Sequence, residues 1–209
     1  MIQDFHTHNR LATDALISVM PEEFDPQPGK FYSVGIHPWH SQEVTPSVLN
    51  ALETAAQHPQ VLAIGETGLD ALRGAPLQVQ MELFKKHITL AEQLGKALII
   101  HMVRTSQQVL KAWNESQRLV PWIIHGMRGN PRVAQPLIDA GFHLSFGSRF
   151  NPATVAATPL DQLLIETDDD ASTTIHDVAQ AIAQVHGITI QELIDAIRHL
   201  DCVLFKQCF

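Results

Sequence analysis

Six side chains that could bind a metal ion lie at or just after short apolar segments of the sequence. They are four histidines and two carboxylates: His6, His8, Glu66, His101, His125 and Asp168. Imidazole and carboxylate ligands suit zinc, manganese or iron, and a carboxylate-rich position also suits magnesium. The residue types therefore predict a metal site, with enough ligands for two divalent ions and with Glu66 as the bridge between them.

Each of these residues alone has a simpler explanation. Histidines at alternate strand positions, such as His6 and His8, point to the same side but often serve only as surface or hydrogen-bonding groups. A carboxylate after a strand, such as Asp168, is about as often the cap of the next helix. Six such groups at the same end of five strands are hard to explain by packing, because burying them together without a metal is costly.

The segments that must position these groups alternate between apolar runs and helical stretches. Seven runs are too short for a helix and are typical of strands buried on both faces. These runs are residues 2–6, 31–36, 61–65, 97–101, 122–125, 142–147 and 163–167. Strands that alternate with helices form parallel βα units, and this number of units predicts an α/β protein with a small TIM-type (β/α) barrel. The active site of such a barrel lies where the C-terminal ends of the strands meet.

The start of the predicted barrel is irregular. Another apolar run, residues 15–20, follows the first after only a few residues. A parallel crossover needs a dozen or more residues and usually a helix. We therefore predict that helices are missing around the second strand and that this strand runs antiparallel or is displaced. Residues 21–29 contain three prolines and a glycine, which predicts a surface loop.

The composition indicates a single folded domain over residues 1–209. Hydrophobic residues make up 45% of the chain and charged residues 17%, which excludes a disordered protein. No apolar run approaches the roughly 18 residues of a membrane span, and the N-terminus lacks a basic segment followed by an apolar one. With only two cysteines, Cys202 and Cys208, we expect a cytoplasmic protein without disulfides or membrane contact.

The net charge limits the class of partner. A formal charge of −8 argues against a broad basic surface made for duplex DNA. It does not exclude a phosphate-bearing substrate, because bound divalent cations reverse the local sign of a site lined with carboxylates. No obligate protein partner is inferred.

The order and spacing of the motifs resemble those of the TatD-like metal-dependent hydrolases, a family that includes deoxyribonucleases. The resemblance covers nearly the whole chain, and its most distinctive part is the Gly-Glu-x-Gly-Leu-Asp string. The segments that carry it are residues 4–8, 35–38, 65–70, 100–101, 124–126 and 166–168. The resemblance implies that His6, His8, Glu66, His101, His125 and Asp168 bind two divalent metal ions. It also implies hydrolysis of phosphodiesters, commonly at DNA ends.

The sequence differs from the family pattern around the ligands. A Ser-Arg pair usually follows the ligand at His101, where this chain has Met102-Val103 and then Arg104. Cys-Phe-Ser-Gly is replaced by Gly-Met-Arg-Gly at residues 126–129, and Ala-Pro is replaced by Asp169-Asp170. A following Arg-Asn-x-Pro motif is missing. All the ligands are kept, while the residues around them that contact the substrate in the family are altered. The sequence therefore supports the metal site better than the DNA substrate.

Catalytic roles are predicted for Asp168 and Glu66. Asp168 is expected to orient or deprotonate the attacking water, and Glu66 to hold the metal centre together. Asp70, at the end of the strongest motif, is expected to cap or orient rather than to catalyse.

Substrate-binding roles are predicted for Arg149, Arg104 and Arg128, which could bind a phosphate. For each arginine, an ordinary solvated loop position is at least as common an explanation. His37 and His40 are expected near the mouth of the site, where they contact the substrate or support the ligands. Trp39 could stack on a base, although packing within its loop is the commoner explanation.

Two other functions stay open at this point. Amidohydrolase-type barrels use a similar ligand pattern on small amides, esters or phosphoesters, although a carbamate-bridged site would have a lysine in place of Glu66. A non-catalytic descendant that binds metal or a partner would explain the altered residues around the ligands, but it would not need an intact, open metal site. We therefore expect a metal-dependent hydrolase of ester bonds, acting on DNA ends or a small phosphoester.

Overall fold

The computed structural model describes residues 3–205, within which it contains eight strands and seven α-helices. The strands are β1 (Asp4–Thr7), β2 (Ala15–Val19), β3 (Phe31–Val34), β4 (Val61–Asp70), β5 (Ala97–Val103), β6 (Trp122–Ile124), β7 (His143–Phe146) and β8 (Leu163–Ile165). The helices are α1 (Pro46–Ala56), α2 (Leu77–Leu94), α3 (Ser106–Glu115), α4 (Pro131–Asp139), α5 (Pro152–Ala157), α6 (Ile175–His186) and α7 (Ile190–Phe205). Cys208 lies outside the described residues.

The eight strands are parallel and follow one another in the sheet in the order of the chain. A parallel bridge between Thr7 and Asp168 joins β1 to the segment after β8. From β3 to β7, each strand is followed by one α-helix before the next strand, and β8 is followed by α6 and α7. This is the predicted TIM-type (β/α) topology.

The second strand confirms one part of its prediction and corrects another. No α-helix occurs between β1 and β3 in the described chain, where the loop contains only a short 3-10 turn at Pro21–Glu23. The expected antiparallel direction is wrong, because β2 pairs parallel to β1, with Asp4 opposite Ala15 and Thr7 opposite Ile17. The pairing is irregular, as expected, since its register shifts between Asp4 and Thr7. The four residues of β1 rise only about 13 Å. The loop of residues 8–14 can span up to roughly 23 Å, so it returns without a helix.

Helix starts follow the side-chain chemistry of the sequence. Thr45, Asn130 and Asn151 each precede a proline at the first position of a helix, and the side chain of each accepts a backbone N–H from the first turn. These bonds satisfy donors that a helix leaves unpaired at its N-terminus. The caps therefore fix where the helices after β3, β6 and β7 begin.

The chain divides into two compact units. The first consists of Met1–Ile17 and Ile123–Phe209, and the second of Ser18–Trp122. In the first unit, the buried ring of Phe5 on β1 stacks on Phe205 of α7 with 5.9 Å between centroids. In the second, Phe84 of α2 packs edge-on against Trp122 at 5.6 Å. The single domain over residues 1–209 stays a prediction.

No helix among residues 3–205 is both long enough and apolar enough to cross a membrane.

A buried histidine of α2 fixes the segment that leads to His37. The Nε2 atom of His87 accepts the backbone N–H of Ile36 at 3.0 Å, and its Nδ1 atom lies 2.9 Å from the carbonyl oxygen of Leu83. These partners require a neutral ring with the proton on Nδ1. Burial lowers the pKa of His87 to about 4.

We expect His87 to make the folded protein sensitive to acid. Its folded pKa of about 4 lies below the unfolded value near 6.5, so the unfolded chain binds the proton more strongly. The contribution of neutral His87 is complete above pH 6.5 and is lost as the pH falls towards 4, by roughly 3 kcal/mol in total. The free energy of unfolding of His87→Gln should therefore fall less between pH 6.5 and pH 4 than that of the wild type.

Urea titrations of metal-free protein at pH 7, 5.5 and 4 measure this difference. Glutamine keeps an acceptor for the N–H of Ile36 but does not titrate. The control is His199→Gln, because His199 is exposed on α7. The prediction would be contradicted if the free energy of unfolding fell equally with pH in the wild type and in His87→Gln.

Candidate metal centre and substrate pocket

The first unit holds a cluster of two histidines and a carboxylate at the end of β1. The Nε2 atoms of His6 and His8 lie 3.7 and 3.6 Å from the same oxygen of Asp168. The rings of the two histidines meet edge-on, with centroids 5.1 Å apart. His6 is fully buried, while Asp168 and His8 are partly exposed. Asp168 can therefore contact both histidines and a substrate.

Backbone hydrogen bonds hold this cluster together. The N–H of Asp168 donates to the carbonyl oxygen of His6 at 2.9 Å, and the N–H of His8 donates to the carbonyl oxygen of Asp168 at 3.1 Å. Asp168 has a left-handed backbone with φ of 54°, which is uncommon for a residue with a side chain. The chain turns at Asp168 while the residue stays bonded to β1.

A buried aspartate supports the same strand. Asp4 accepts hydrogen bonds from the hydroxyl and N–H of Thr167 at 2.6 and 3.1 Å, and from the N–H of His6 at 3.4 Å. Burial raises the pKa of Asp4 to about 7, against the lowering effect of these hydrogen bonds. Asp4 therefore connects β1 to the residues just before Asp168.

His125 belongs to the same unit and brings with it a carboxylate that the sequence analysis did not single out. Its Nδ1 atom lies 3.5 Å from Oε1 of buried Glu166, and its ring centroid lies 4.2 Å from that of His6. The same Glu166 oxygen accepts the N–H of Gly126 at 2.7 Å. Glu166 precedes Asp168 by two residues, and residues two apart on a strand point to the same side. This spacing is the signal in the sequence that could have identified Glu166.

The charge of Glu166 is maintained by its surroundings. Burial by itself raises the pKa of a carboxyl group, but the hydrogen bond and positive charge of His125, together with the charge of His6, outweigh it. The pKa of Glu166 is therefore lowered. Oε1 of Glu166 faces Nδ1 of His125, so a neutral ring with its proton on Nδ1 would bind metal through Nε2.

The second unit holds a separate cluster formed by His37, Glu66 and His101. Oε1 of Glu66 lies 3.0 Å from Nε2 of His37 and 2.9 Å from Nδ1 of His101. The two histidine nitrogens are 3.2 Å apart. His37 is expected near the mouth of the site, and it lies in direct contact with two predicted ligands. His37 is therefore a candidate ligand itself.

Strand β4 is longer than the strand predicted from the sequence. The predicted strand stops at residue 65, whereas β4 reaches Asp70, and its register against β5 shifts between Ile64 and Thr67. Glu66 lies at this irregularity, within the strand rather than after it. The shift has no signature in the apolar pattern that defined the predicted strand.

Asp70 contacts His101, the residue that an orienting role would require. Its Oδ2 atom lies 3.2 Å from Nε2 of His101 and accepts the indole N–H of Trp39 at 2.7 Å, while Oδ1 accepts the N–H of Leu72 at 2.7 Å. Burial opposes ionisation, but the hydrogen bonds from Trp39 and Leu72 and the contact with His101 lower the pKa of Asp70. A charged Asp70 therefore fixes the ring of His101.

Two of the three predicted arginines lie beside Asp168. Arg128 and Arg149 line a pocket of about 310 Å³, part of it open solvent space, together with Gly126, Gly147, Ser148 and residues 166–170. Arg104 is exposed after β5, with a left-handed φ of 55°, and does not line this pocket. His40 is also exposed, with Nδ1 3.6 Å from Glu43. The roles of Arg104 and His40 in substrate binding stay predictions.

The donor atoms in each unit fit a divalent metal ion. In the first unit, His6, His8 and Asp168 form one group with ligand atoms within 4.8 Å of one another, and His125, Glu166 and Asp168 form another. In the second, His37, Glu66 and His101 form such a group. Nitrogen and oxygen ligands bind zinc at about 2.0–2.2 Å, so two atoms 2.9–3.7 Å apart, as in the contacts of Asp168 and Glu66, can share one ion. The residues therefore fit divalent metal binding.

The sequence is similar to proteins that are named as metal-dependent hydrolases. An uncharacterized metal-dependent hydrolase TatD from Mycobacterium tuberculosis is 33% identical over 151 residues, covering 66% of this chain and 57% of that protein. A 3'-5' ssDNA/RNA exonuclease TatD from Klebsiella pneumoniae is 29% identical over 153 residues, covering 67% of this chain and 57% of that protein. The matched part of the chain thus spans 57% of the length of each of these two relatives.

The fold agrees with that of a solved TatD homologue. The crystal structure of YjjV from Escherichia coli K12 superposes with a TM-score of 0.83 at 18% identity, covering 100% of this chain and 98% of that chain. This likeness confirms the TIM-type fold class. The model of the family described as TatD-related DNase matches residues 20–206, and the chain therefore belongs to that family.

Proposed function

We propose that the protein is a metal-dependent phosphodiesterase that hydrolyses single-stranded DNA or RNA near an end. The observation that carries this proposal is the position of Asp168, which contacts His6 and His8 and lines a pocket with Arg128 and Arg149. The names of the relatives support it, since one is a metal-dependent hydrolase and another is a ssDNA/RNA exonuclease.

Two divalent ions are part of the proposal, and the family resemblance gives their ligands. His6, His8 and His125 with Asp168 would serve in the first unit, and Glu66 with His101 in the second, where His37 is a further donor. When bound, such ions supply Lewis acidity to a phosphoryl oxygen and make water a better nucleophile. Zinc, manganese and magnesium each suit this mixture of nitrogen and oxygen ligands.

The chain's own groups would bind and orient the reactants. Arg149 and Arg128 line the pocket, and a guanidinium group recognises phosphate through paired, charge-assisted hydrogen bonds. Asp168, partly exposed in the same pocket, accepts a proton from the attacking water. The leaving sugar oxygen takes a proton from solvent. The pocket also contains the carboxylates of Glu166 and Asp168–Asp170, so an anionic phosphodiester would bind there together with divalent ions, which reverse the local charge.

The decisive experiment is hydrolysis of end-labelled single-stranded DNA and RNA by metal-free protein, with and without added zinc, manganese or magnesium. We expect no cleavage by the metal-free protein and a ladder of products after one of the metals is added. The order in which the products appear gives the direction of cleavage. Intact oligonucleotides in the presence of stoichiometrically bound metal would contradict the nuclease proposal, and small phosphoesters and amides would then be screened.

A further inference from the structure

Trp39 is held in a fixed orientation at the edge of the second-unit cluster. It belongs to the 3-10 turn Pro38–His40, and its backbone N–H donates to Nδ1 of His37 at 3.1 Å. Its indole N–H donates to Asp70 at 2.7 Å. The residue is nevertheless 44% exposed. One hydrogen bond thus fixes the backbone of Trp39 and another fixes its indole, while part of the ring stays exposed to solvent.

The anchor of this ring is itself rigid. The buried side chain of Gln80 accepts the N–H of Asp70 at 2.7 Å and donates to the carbonyl oxygens of Asp70, Arg73 and Ala75 at 2.7–3.0 Å. A single side chain thus fixes both ends of the loop from Asp70 to Ala75. Because Asp70 binds the indole, this loop and the turn at Trp39 are joined.

A cation lies on the exposed ring. The guanidinium carbon of Arg73 is 4.6 Å from the centroid of Trp39, within the range of a cation–π contact. The neighbouring Leu72 is 61% exposed. Trp39 and Arg73 therefore form an exposed patch of one aromatic ring and one positive charge, although the protein as a whole carries a net negative charge.

This patch lies next to candidate metal ligands. The ring of Trp39 is 4.6 Å from that of His37 and 5.9 Å from that of His101, centroid to centroid. In a nucleotide, one sugar separates the base from its phosphate. A base stacked on Trp39 would therefore place the adjacent phosphate beside the second-unit cluster, with the guanidinium of Arg73 close to the nucleic-acid backbone.

We propose that Trp39 and Arg73 form a stacking platform for one unpaired nucleobase adjacent to the phosphate that is hydrolysed. The inference rests on the proposed function and adds a specificity-determining site to it. Stacking tolerates every base because each has a π-face, but it requires a base that is free of its duplex neighbours. The platform therefore selects single-stranded or frayed ends rather than a particular sequence.

A purely structural role for Trp39 makes a different prediction. If the indole only positions Asp70 and His37, loss of its N–H should matter most, and Trp39→Phe should be as harmful as Trp39→Leu. If the ring stacks on a base, phenylalanine should keep much of the function and leucine should lose it. The effect should also depend on whether the substrate has a base at the stacked position.

The test uses the metal-loaded full chain and end-labelled oligonucleotides with an abasic residue at each of the three positions nearest either end. In the wild type, we expect one abasic position to lower kcat/KM by about 5- to 100-fold, the range that base–aromatic stacking gives. Trp39→Leu should lower kcat/KM on the intact oligonucleotide by a similar factor and show no further loss on the abasic one. Arg73→Gln should give a smaller loss of the same kind.

The chain offers a matched control in the same unit. Trp113 carries Arg118 over its ring at 5.5 Å, but it lies on α3 and packs against Trp122. Trp113→Phe and Arg118→Gln should leave the dependence on the abasic position unchanged. Equal rates of the wild type on intact and abasic substrates would overturn the platform. Equal losses for Trp39→Phe and Trp39→Leu on both substrates would do so as well.

A binding measurement separates failure of the platform from failure of the proposed function. If the wild type hydrolyses no oligonucleotide, fluorescence anisotropy of the same labelled strands with metal-loaded protein decides the question. Tighter binding of the intact strand than of the abasic one, lost in Trp39→Leu, would support the platform without hydrolysis. Equal affinities for the intact and abasic strands, unchanged in Trp39→Leu, would overturn it.

Discussion

Replacing Asp168 by asparagine is expected to lower kcat on single-stranded DNA by about 10²- to 10⁴-fold, the usual contribution of a general base. The amide keeps an oxygen facing His6 and His8, whose Nε2 atoms lie 3.7 and 3.6 Å from the carboxylate. It cannot accept the proton of the attacking water. The backbone bonds between Asp168 and β1 do not involve the replaced atoms, so the variant should stay folded.

The measurement is kcat at saturating metal, which removes any effect of weaker metal binding. The matched control is Asp169→Asn, a change of the same kind at an exposed neighbour in the same pocket. Asp169→Asn should change kcat by less than the scatter between preparations, because no catalytic contact is assigned to it. Activity of Asp168→Asn within a few-fold of the wild type would assign proton transfer to another group.

The sequence was sufficient for the fold class, and it brought together side chains that the structure also places in contact, because both depend on local signals. His6 and His8 follow the period of a strand, and the structure places their rings in contact. The caps at Asn130 and Asn151 depend only on a side chain and the turn after it. Glu66 and His101 lie together because parallel strands bring their C-terminal ends to the same side, as Oε1 and Nδ1 at 2.9 Å show.

Strand directions and strand ends that depend on the length of a loop or on the register between two strands could not be predicted from such local signals. The parallel pairing of β2 follows from the short length of β1, which lets residues 8–14 return without a helix. The extension of β4 to Asp70 depends on a shift of register against β5. In the sequence, Glu166 is recognisable only as the first residue of the motif that ends in Asp168. Its burial and its contact with His125, which make it part of the site, appear only in the structure.

The departure from the family pattern after Asp168 also has a local explanation. Asp170 accepts hydrogen bonds from the hydroxyl groups of Ser148, Ser172 and Thr173, and these bonds lower its pKa. Ser148 belongs to the loop after β7 that also carries Arg149. The carboxylate therefore ties two loops of the pocket together. The residues that replace the family pattern after Asp168 therefore form hydrogen bonds of their own between these two loops.

Replacing Glu166 by glutamine is expected to weaken metal binding by about 10- to 100-fold, the usual effect of removing a carboxylate behind a histidine ligand. Oε1 of Glu166 lies 3.5 Å from Nδ1 of His125 and accepts the N–H of Gly126 at 2.7 Å. Glutamine can keep the bond to Gly126 but carries no charge. The ring of His125 then becomes a poorer donor and is less firmly held in the tautomer that binds metal.

Competition with a chromogenic chelator measures the change in metal affinity for zinc and for manganese. Glu53→Gln on the exposed face of α1 is the control for loss of one negative charge from the protein, and it should bind metal as the wild type does. Excess metal should restore much of the kcat of Glu166→Gln but none of that lost in Asp168→Asn, because the first residue supports a ligand and the second moves a proton. Unchanged resistance to the chelator in Glu166→Gln would show that His125 holds its orientation without the carboxylate, and that Glu166 serves only to fix the N–H of Gly126.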